Sequence, residues 1–410
     1  MAALLLGTGT AKAEWDRLYH IPNAKSCLAT SKGSLVATDY NDNYEGGIYV
    51  SRDKGETWTK ADLRDYQYNH LFELQGCIFA TGESCRIARS MDDGETWEML
   101  NYTNAVKAYL EEKELAYAQC WAMAELGGKL YAADYCGGGV LVSEDYGETW
   151  KQTHRNSQKI SVSGEKIIEN YYALVAHGGK LWAFGVYAIH TYDPATDRWT
   201  TLTNKDSNFM GTVASYGDYL ICGRGLDYKL DSYPFLEVTT DGTNWRSTQA
   251  PDDIESINVP ALGVKNGVIF ALQPNGKCYT SADMGKTWEF QTGLPQNTWP
   301  QCVTFDEEYA YSALYSPITT NTDSGIWRIP LEDVGAGIHG VEAEGQSINV
   351  TVTDDAISAP GADIKVFNAA GQDCGFAGSG EVRISGLQPG IYFYQAEAKA
   401  GRACGKFIKH

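Results

Sequence analysis

Carboxylates and aromatic rings crowd a few polar stretches of this 410-residue chain. DYNDNYEGG (39–47) carries Asp39, Tyr40, Asp42, Tyr44 and Glu45, and RDYQYNH (64–70) adds Asp65, Tyr66, Tyr68 and His70. DYCGGG (134–139) supplies Asp134 and Tyr135, and RGLDYKLDSYPF (224–235) supplies Arg224, Asp227 and Tyr228. Trp299 and Tyr315 follow late in the chain. Flat rings beside carboxylates suit sugars, which present apolar ring faces and hydroxyls together. Two carboxylates roughly 5–10 Å apart across a cleft could also hydrolyse a glycosidic bond. Spacing along the chain does not establish that separation, so no catalytic residue is assigned. DYNDNYE alternates oxygens as a calcium loop does, but it lacks the Gly and terminal Glu of an EF-hand, and no metal is assigned. No Ser/His/Asp order and no phosphate-binding loop is present either, so no cofactor is expected.

Composition narrows the partners. Lys and Arg number 33 against 52 Asp and Glu, a formal charge of −19. Such a surface repels a phosphate backbone, and no basic stretch offsets it, so nucleic acid is excluded as a partner. An acidic surface leaves glycans, cations and proteins open. The 43 glycines and 26 tyrosines, with many short β-branched and aromatic segments between Gly turns, indicate an all-β chain.

What must position the polar stretches is a repeat. SRDKGETW (51–58) returns as SMDDGETW (90–97), SEDYGETW (143–150) and SADMGKTW (281–288). A shorter relative, TTDGTNW, occupies 239–245, and YDPATDRW at 192–199 ends in the same tryptophan. Trp58, Trp97, Trp150, Trp199, Trp245 and Trp288 therefore recur at intervals of roughly 40–50 residues, the length of a four-stranded propeller blade. Upstream of each lies a Gly turn and an apolar strand, as in KGSLVATDY, GGKLYAADY and NGVIFALQP. A seventh unit runs from QCVTFDEEYAYSALYS to GIWRIPL and stops one strand short. EWDRLYHI, near the N-terminus, reads as that missing strand, with Trp15 in the tryptophan position. The expected fold is thus a seven-bladed β-propeller over 14–335 whose N-terminal strand closes the last blade and leaves no long free edge. Six or eight blades follow if the long interval from 97 to 150 is divided differently.

Within the repeated turn, the expected roles are structural. Ser51, Ser90, Ser143 and Ser281, with Asp53, Asp92, Asp145 and Asp283, accept or exchange hydrogen bonds inside their own turns. Gly55, Gly94, Gly147 and Gly285 supply a positive φ. Trp58, Trp97, Trp150 and Trp288 fill the wedge between blades. The motif resembles the Asp-box (BNR) repeats of sialidases, endoglucanases and related secreted propellers, in which the boxes sit on the rim away from the active site. HGGKLWAFG with YDPATDRW looks more like a kelch repeat of the same strand order. The polar stretches then fall on the opposite face, in loops joining strand four to the next strand one and strand two to strand three. A short helix over 103–119 is expected to stand on that face.

Two ends of the chain read as addresses. MAALLLGTGTAKA (1–13) ends its apolar run in an Ala-x-Ala site and resembles the tail of a signal peptide, with a plain N-terminal extension as the alternative. From 338 to 410, IKVFNAAGQ, LQPGIY and a lysine-containing last strand resemble the C-terminal sorting domain of the type IX secretion system, a small β-sandwich. The Pro-Asn-Pro turn usual in such domains is absent. Cys374 and Cys404 fall within this module and are expected to pair there. The resemblance implies a secreted or outer-membrane-surface monomer that meets the type IX machinery.

Two functions remain in view: a propeller binding a glycan or protein ligand on its loop-rich face, and a secreted glycoside hydrolase. Sialidases need three arginines on a carboxylate, the first in an Arg-Ile-Pro motif. This chain has YHIP, with His20, at the early position, while WRIP places Arg328 in the last blade. Arg52 and Arg89 belong to the repeated turns. Binding is therefore the preferred reading.

Overall fold

The computed structural model describes residues 14–40, 46–63, 66–82, 86–100, 102, 119–134, 139–154, 157–158, 167–168, 170–185, 188–202, 210–224, 234–254, 256–317, 323–332, 334, 350–353, 355–368, 373–388, 390–398 and 401–409. The N-terminal stretch 1–13, residues 103–118 of the expected helix, and Tyr44, Tyr135 and Tyr228 lie outside them. Two compact units divide the chain, 1–336 and 337–410.

In the first unit, the described strands form six four-stranded antiparallel sheets, each of four consecutive strands. Sheet one contains Ala24–Ala29, Leu35–Asp39, Gly47–Ser51 and Thr59–Lys60. Sheets two to six begin at Tyr68–Leu74, Cys120–Leu126, Tyr171–His177, Met210–Tyr216 and Ala261–Lys265. The seventh sheet joins the two ends of the unit. Asp16–Tyr19 pairs with Gly325–Pro330, placing Asp16 opposite Arg328, Arg17 opposite Trp327 and Tyr19 opposite Ile326. Tyr309–Tyr315 follows, and Trp299–Pro300 and Thr304–Phe305 both pair with it.

Why the strands are apolar on both faces follows from how the sheets meet. Ile78 and Phe79 are neighbours in the second strand of sheet two, and successive side chains point to opposite faces. Ile78 packs with Val36, Ile48 and Tyr68 against sheet one. Phe79 packs with Ile87, Met123 and Leu130 against sheet three. The same alternation continues through Tyr131 and Leu174, Phe184 and Leu220, Ile221 and Ile269, and Phe270 with Ala310. A further cluster of Cys27, Leu35, Tyr311, Ala313 and Ile326 joins the seventh sheet to sheet one. Burying each side chain of this kind is worth about 1.5–3 kcal/mol, so these wedges hold the unit together. Trp15 lies in the wedge between sheet six and the seventh sheet, only 3% exposed, and its amide donates to the Thr292 carbonyl at 3.0 Å.

Each repeated turn is a closed hydrogen-bond network. Ser143 Oγ donates to Asp145 at 2.8 Å and accepts the Gly147 amide at 2.9 Å. The other Asp145 oxygen accepts the Thr149 hydroxyl at 2.6 Å, and the Thr149 amide reaches the first at 2.9 Å. The turns at Asp53, Asp92 and Asp283 repeat these partners. Two left-handed residues in succession make the reversal, Tyr146 at φ 57° and Gly147 at φ 91°. Gly147 is required twice over, since a Cβ there would also stand 2.9 Å from Leu100 Cδ1. The Trp58, Trp97, Trp150 and Trp245 indoles each donate to the carbonyl of their own turn glycine. Trp288 instead reaches across to the Gln249 carbonyl at 2.7 Å. Arg89 ties two turns together, contacting Glu98 at 2.6 Å, Glu148 at 2.5 Å and the Tyr146 carbonyl at 2.7 Å.

The second unit is one five-stranded sheet built on the long strand Ala356–Asn368. Its register slips between Ala359 and Asp363, and Ile357 and Ile364 from the two sides of the slip share one core with Val382, Ile384 and Ala396. The side chain of Cys404 lies outside the described residues, and with it the expected Cys374–Cys404 pairing.

Candidate functional site

First strands of successive sheets contact one another and so form the hub of the first unit. In five of them the register against the second strand slips after the first residue: between Ala24 and Ser26, Tyr68 and His70, Cys120 and Ala122, Tyr171 and Ala173, and Met210 and Thr212. A β-bulge inserts one residue and re-aims a side chain. The inserted residues are Lys25, Asn69, Trp121, Tyr172 and Gly211. All five stand at the same end of the hub, the end opposite the repeated turns.

Around that mouth the side chains form an arc of separately stacked groups. Lys25 Nζ lies 5.1 Å from the Tyr40 ring centre and 4.6 Å from that of Tyr315. Trp299, 36% exposed, is the cross-strand partner of Tyr315. On the next sheets His70 packs on Trp121 with ring centres 4.7 Å apart, and Trp121 meets the edge of Tyr172 at 6.3 Å. The Arg86 guanidinium lies 3.2 Å from the Tyr66 ring centre, and Tyr66 meets Tyr68 edge-on. The arc thus runs from the seventh sheet through sheets one and two to sheets three and four. Rings and cations stacked in this way offer apolar faces and hydrogen-bond donors to a ligand.

The electrostatics of the mouth favour neutral forms. Burial, with the Lys25 charge nearby, lowers the His70 pKa to about 4, and its Nε2 makes no hydrogen bond. Burial also raises the Asp39 pKa against the opposing pull of the Asn23 and Tyr40 backbone. Farther out at the same end, His154 and His190 face each other with ring centres 4.9 Å apart, beside Tyr171 and Trp199. Burial lowers His154 to about 4, and burial together with His154 lowers His190 to about 3.

Of the residues singled out in the sequence, Tyr40, Tyr66, His70, Trp299 and Tyr315 join the arc. Asp39, Asp134 and Arg224 occupy one equivalent position, the end of the second strand, on sheets one, three and five. Each pairs with the first residue of its hub strand, Ala24, Cys120 and Met210 respectively. They are repeats of one site in the sheet rather than a cluster. Lys25, Trp121, Tyr172 and Arg86 were not singled out, because what exposes them is the bulge or the loop beside it. For the first three the signal was the recurring pair of residues just before each apolar hub run: AK, YN, CW, YY and MG. No group of three metal-ligating side chains occurs among the described residues.

Hub strands, sequential four-stranded sheets and inter-sheet wedges define a β-propeller. YCF48 from Cyanidioschyzon merolae aligns with a TM-score of 0.54 at 16% identity, over 78% of this chain and 100% of that one. YCF48 bound to D1 peptide gives 0.53 at 15% identity, over 78% and 97%. The extracellular domain of the hybrid two-component system BT3049 from B. thetaiotaomicron gives 0.55 at 12% identity, over 98% of this chain but 58% of that one. At such identities the likeness is one of fold. Vacuolar protein sorting/targeting protein 10 of Uncinocarpus reesii is 32% identical over 66 residues, 16% of this chain, and the chain spans 4% of that protein's length. No family model matches the chain.

Proposed function

We propose that the chain is an exported, seven-bladed Asp-box propeller that binds a glycan or protein ligand at the bulged mouth. The observation carrying this reading is the arc from Trp299 and Tyr315 through Lys25 and Tyr40 to His70, Trp121 and Tyr172. Seven inter-sheet clusters support the blade count. The self-contained hydrogen bonding of the repeated turns supports a scaffolding role for them. We assign 1–13 to a signal-peptide remnant, 14–335 to the propeller and 338–410 to a type IX sorting domain. No helix among the described residues is long and apolar enough to cross a membrane. A peptide-bound neighbour and an extracellular-domain neighbour are in keeping with a protein ligand outside the cell. The repeat equivalence of Asp39 and Asp134 weighs against the glycoside hydrolase reading, since the fold itself accounts for their placement.

The test is to screen the full chain against a glycan array and a peptide library, then titrate the best binder into wild type and Trp121→Ala. Losing a central ring should weaken binding at least about tenfold. Equal affinities for the two proteins would remove the mouth from the function, and release of sugar from a bound glycan would restore the hydrolase.

A further inference from the structure

The seam between the seventh sheet and sheet one carries two cysteines far apart in the chain. Cys27 lies in the first strand of sheet one and is 5% exposed. Cys302 lies between Trp299–Pro300 and Thr304–Phe305 and is partly exposed. Their Sγ atoms are 3.3 Å apart across a separation of 275 residues. The Cys27 amide also donates to Cys302 Sγ at 3.1 Å.

We propose that Cys27 and Cys302 are an oxidative cross-linking site, closing as a disulfide that clasps the first and last sheets at the hub. The geometry asks little of the backbone, since the sulfurs need only close from contact to about 2.0 Å. The partner chemistry is a disulfide oxidant. Cys302, as thiolate, attacks one sulfur of the oxidant and forms a mixed disulfide, releasing the first thiol. Cys27 then loses its proton and attacks Cys302 Sγ, releasing the second thiol. Two protein thiols become one disulfide, and the oxidant takes up the two electrons and two protons. The order follows from the site: Cys302 is the more exposed residue of the two, and its sulfur receives the Cys27 amide. The neighbouring Cys27 thiol holds the Cys302 pKa down, while burial and Cys302 push Cys27 up.

Such a bond would complement the hydrogen-bonded closure by Asp16–Tyr19, which seals the same sheet at its outer edge. It would bridge nearly the whole ring, where the unfolded chain has the most loop entropy to lose. The proposal rests on the seam geometry and not on where the protein resides.

The experiment exposes the folded full-length protein to oxidised glutathione at mildly alkaline pH. Non-reducing peptide mapping should find Cys27 joined to Cys302, and the melting midpoint should rise by roughly 5–10 °C, reversibly with dithiothreitol. Cys27→Ser should trap glutathione on Cys302, whereas Cys302→Ser should leave Cys27 unmodified. Failure to find the linked peptide in folded wild type overturns the site. A linked protein with an unchanged midpoint overturns the clasp.

Discussion

The two ends of the propeller sheets treat charge in opposite ways. At the turn end, aspartates are held in their charged form. The Thr57 hydroxyl and amide, with Ser51, lower Asp53 to about 2, and the Asn244 and Thr243 amides do the same for Asp241. For Asp92 burial works the other way, yet the Thr96 and Ser90 donors prevail and hold it at about 2. At the mouth, burial wins: Asp39 is pushed up, and His70, His154 and His190 are pushed down into the neutral form. The difference lies in donors. Each turn supplies its carboxylate with donors from within a few residues, whereas His70 Nε2, His154 Nε2 and Asp39 Oδ1 are buried without a hydrogen bond. One end answers its carboxylates from within each turn. The other keeps polar atoms unsatisfied beside exposed rings.

The largest effect that tests this contrast is the pH dependence of stability. The three histidines are neutral in the fold but take up protons in the unfolded chain below about pH 6.5. The unfolded state therefore binds more protons, and stability rises with pH across that window. Fully present above about pH 6.5, this contribution is lost as pH falls towards the folded values of about 4, 4 and 3 for His70, His154 and His190. Each histidine can contribute up to about 1.4 kcal/mol per pH unit, so we expect a loss of roughly 2–4 kcal/mol between pH 6 and 5. Urea unfolding at several pH values measures it, and His154→Gln with His190→Gln should flatten the curve. A level wild-type profile from pH 7 to 5 would show that the mouth is wetter than the contrast requires. The turn aspartates should act only below about pH 4, where the unfolded carboxylates take up protons while Asp53, Asp92 and Asp241 stay charged down to about 2.

Next in size is a break at the turn end. Gly147→Val places a branched side chain at φ 91° and against Leu100 and Phe79. The expected loss is about 3 kcal/mol, from left-handed strain plus overpacking. Ligand affinity of the folded fraction should not change. Denaturant midpoints read the first outcome and titration the second. A binding defect without a stability defect would place function on the turns and reverse the comparison.

How much of this was legible in the sequence divides along the same line. The turns could be read because Ser143, Asp145, Gly147 and Thr149 bond to one another within seven residues, so composition and geometry coincide. The closing strand was legible too, because Trp15 repeats the tryptophan position and its register on Gly325–Pro330 follows. At the mouth, loop position alone pointed to Tyr40, His70 and Tyr315. It could not reveal Lys25, Trp121 or Tyr172, because a bulge adds a residue without disturbing the apolar run that follows. Contacts between sheets, such as His70 with Trp121 or Cys27 with Cys302, depend on chain closure over tens to hundreds of residues and leave no local pattern.

The smallest expected effect is at Asp39, and it separates cost from purpose. A folded pKa above the unfolded value means that the fold prefers the protonated acid. The charged form therefore detracts from stability, by an amount that grows as pH rises through the carboxylate range and is complete at neutral pH. Asp39→Asn keeps the shape and removes the charge, so it should stabilise the protein at pH 7 and leave its stability unchanged near pH 3. Asp134, at the equivalent position on sheet three, gives the comparison within one molecule. If Asp39 is simply the cost of ending a second strand with a polar residue, Asp39→Asn will gain stability and keep ligand affinity. If the carboxylate is retained to meet a ligand donor, the same variant will gain stability and lose affinity. Unfolding and titration on one preparation distinguish these outcomes. Loss of stability on Asp39→Asn would show that the carboxylate is satisfied after all, and that the two ends of the sheets differ less than their titration implies.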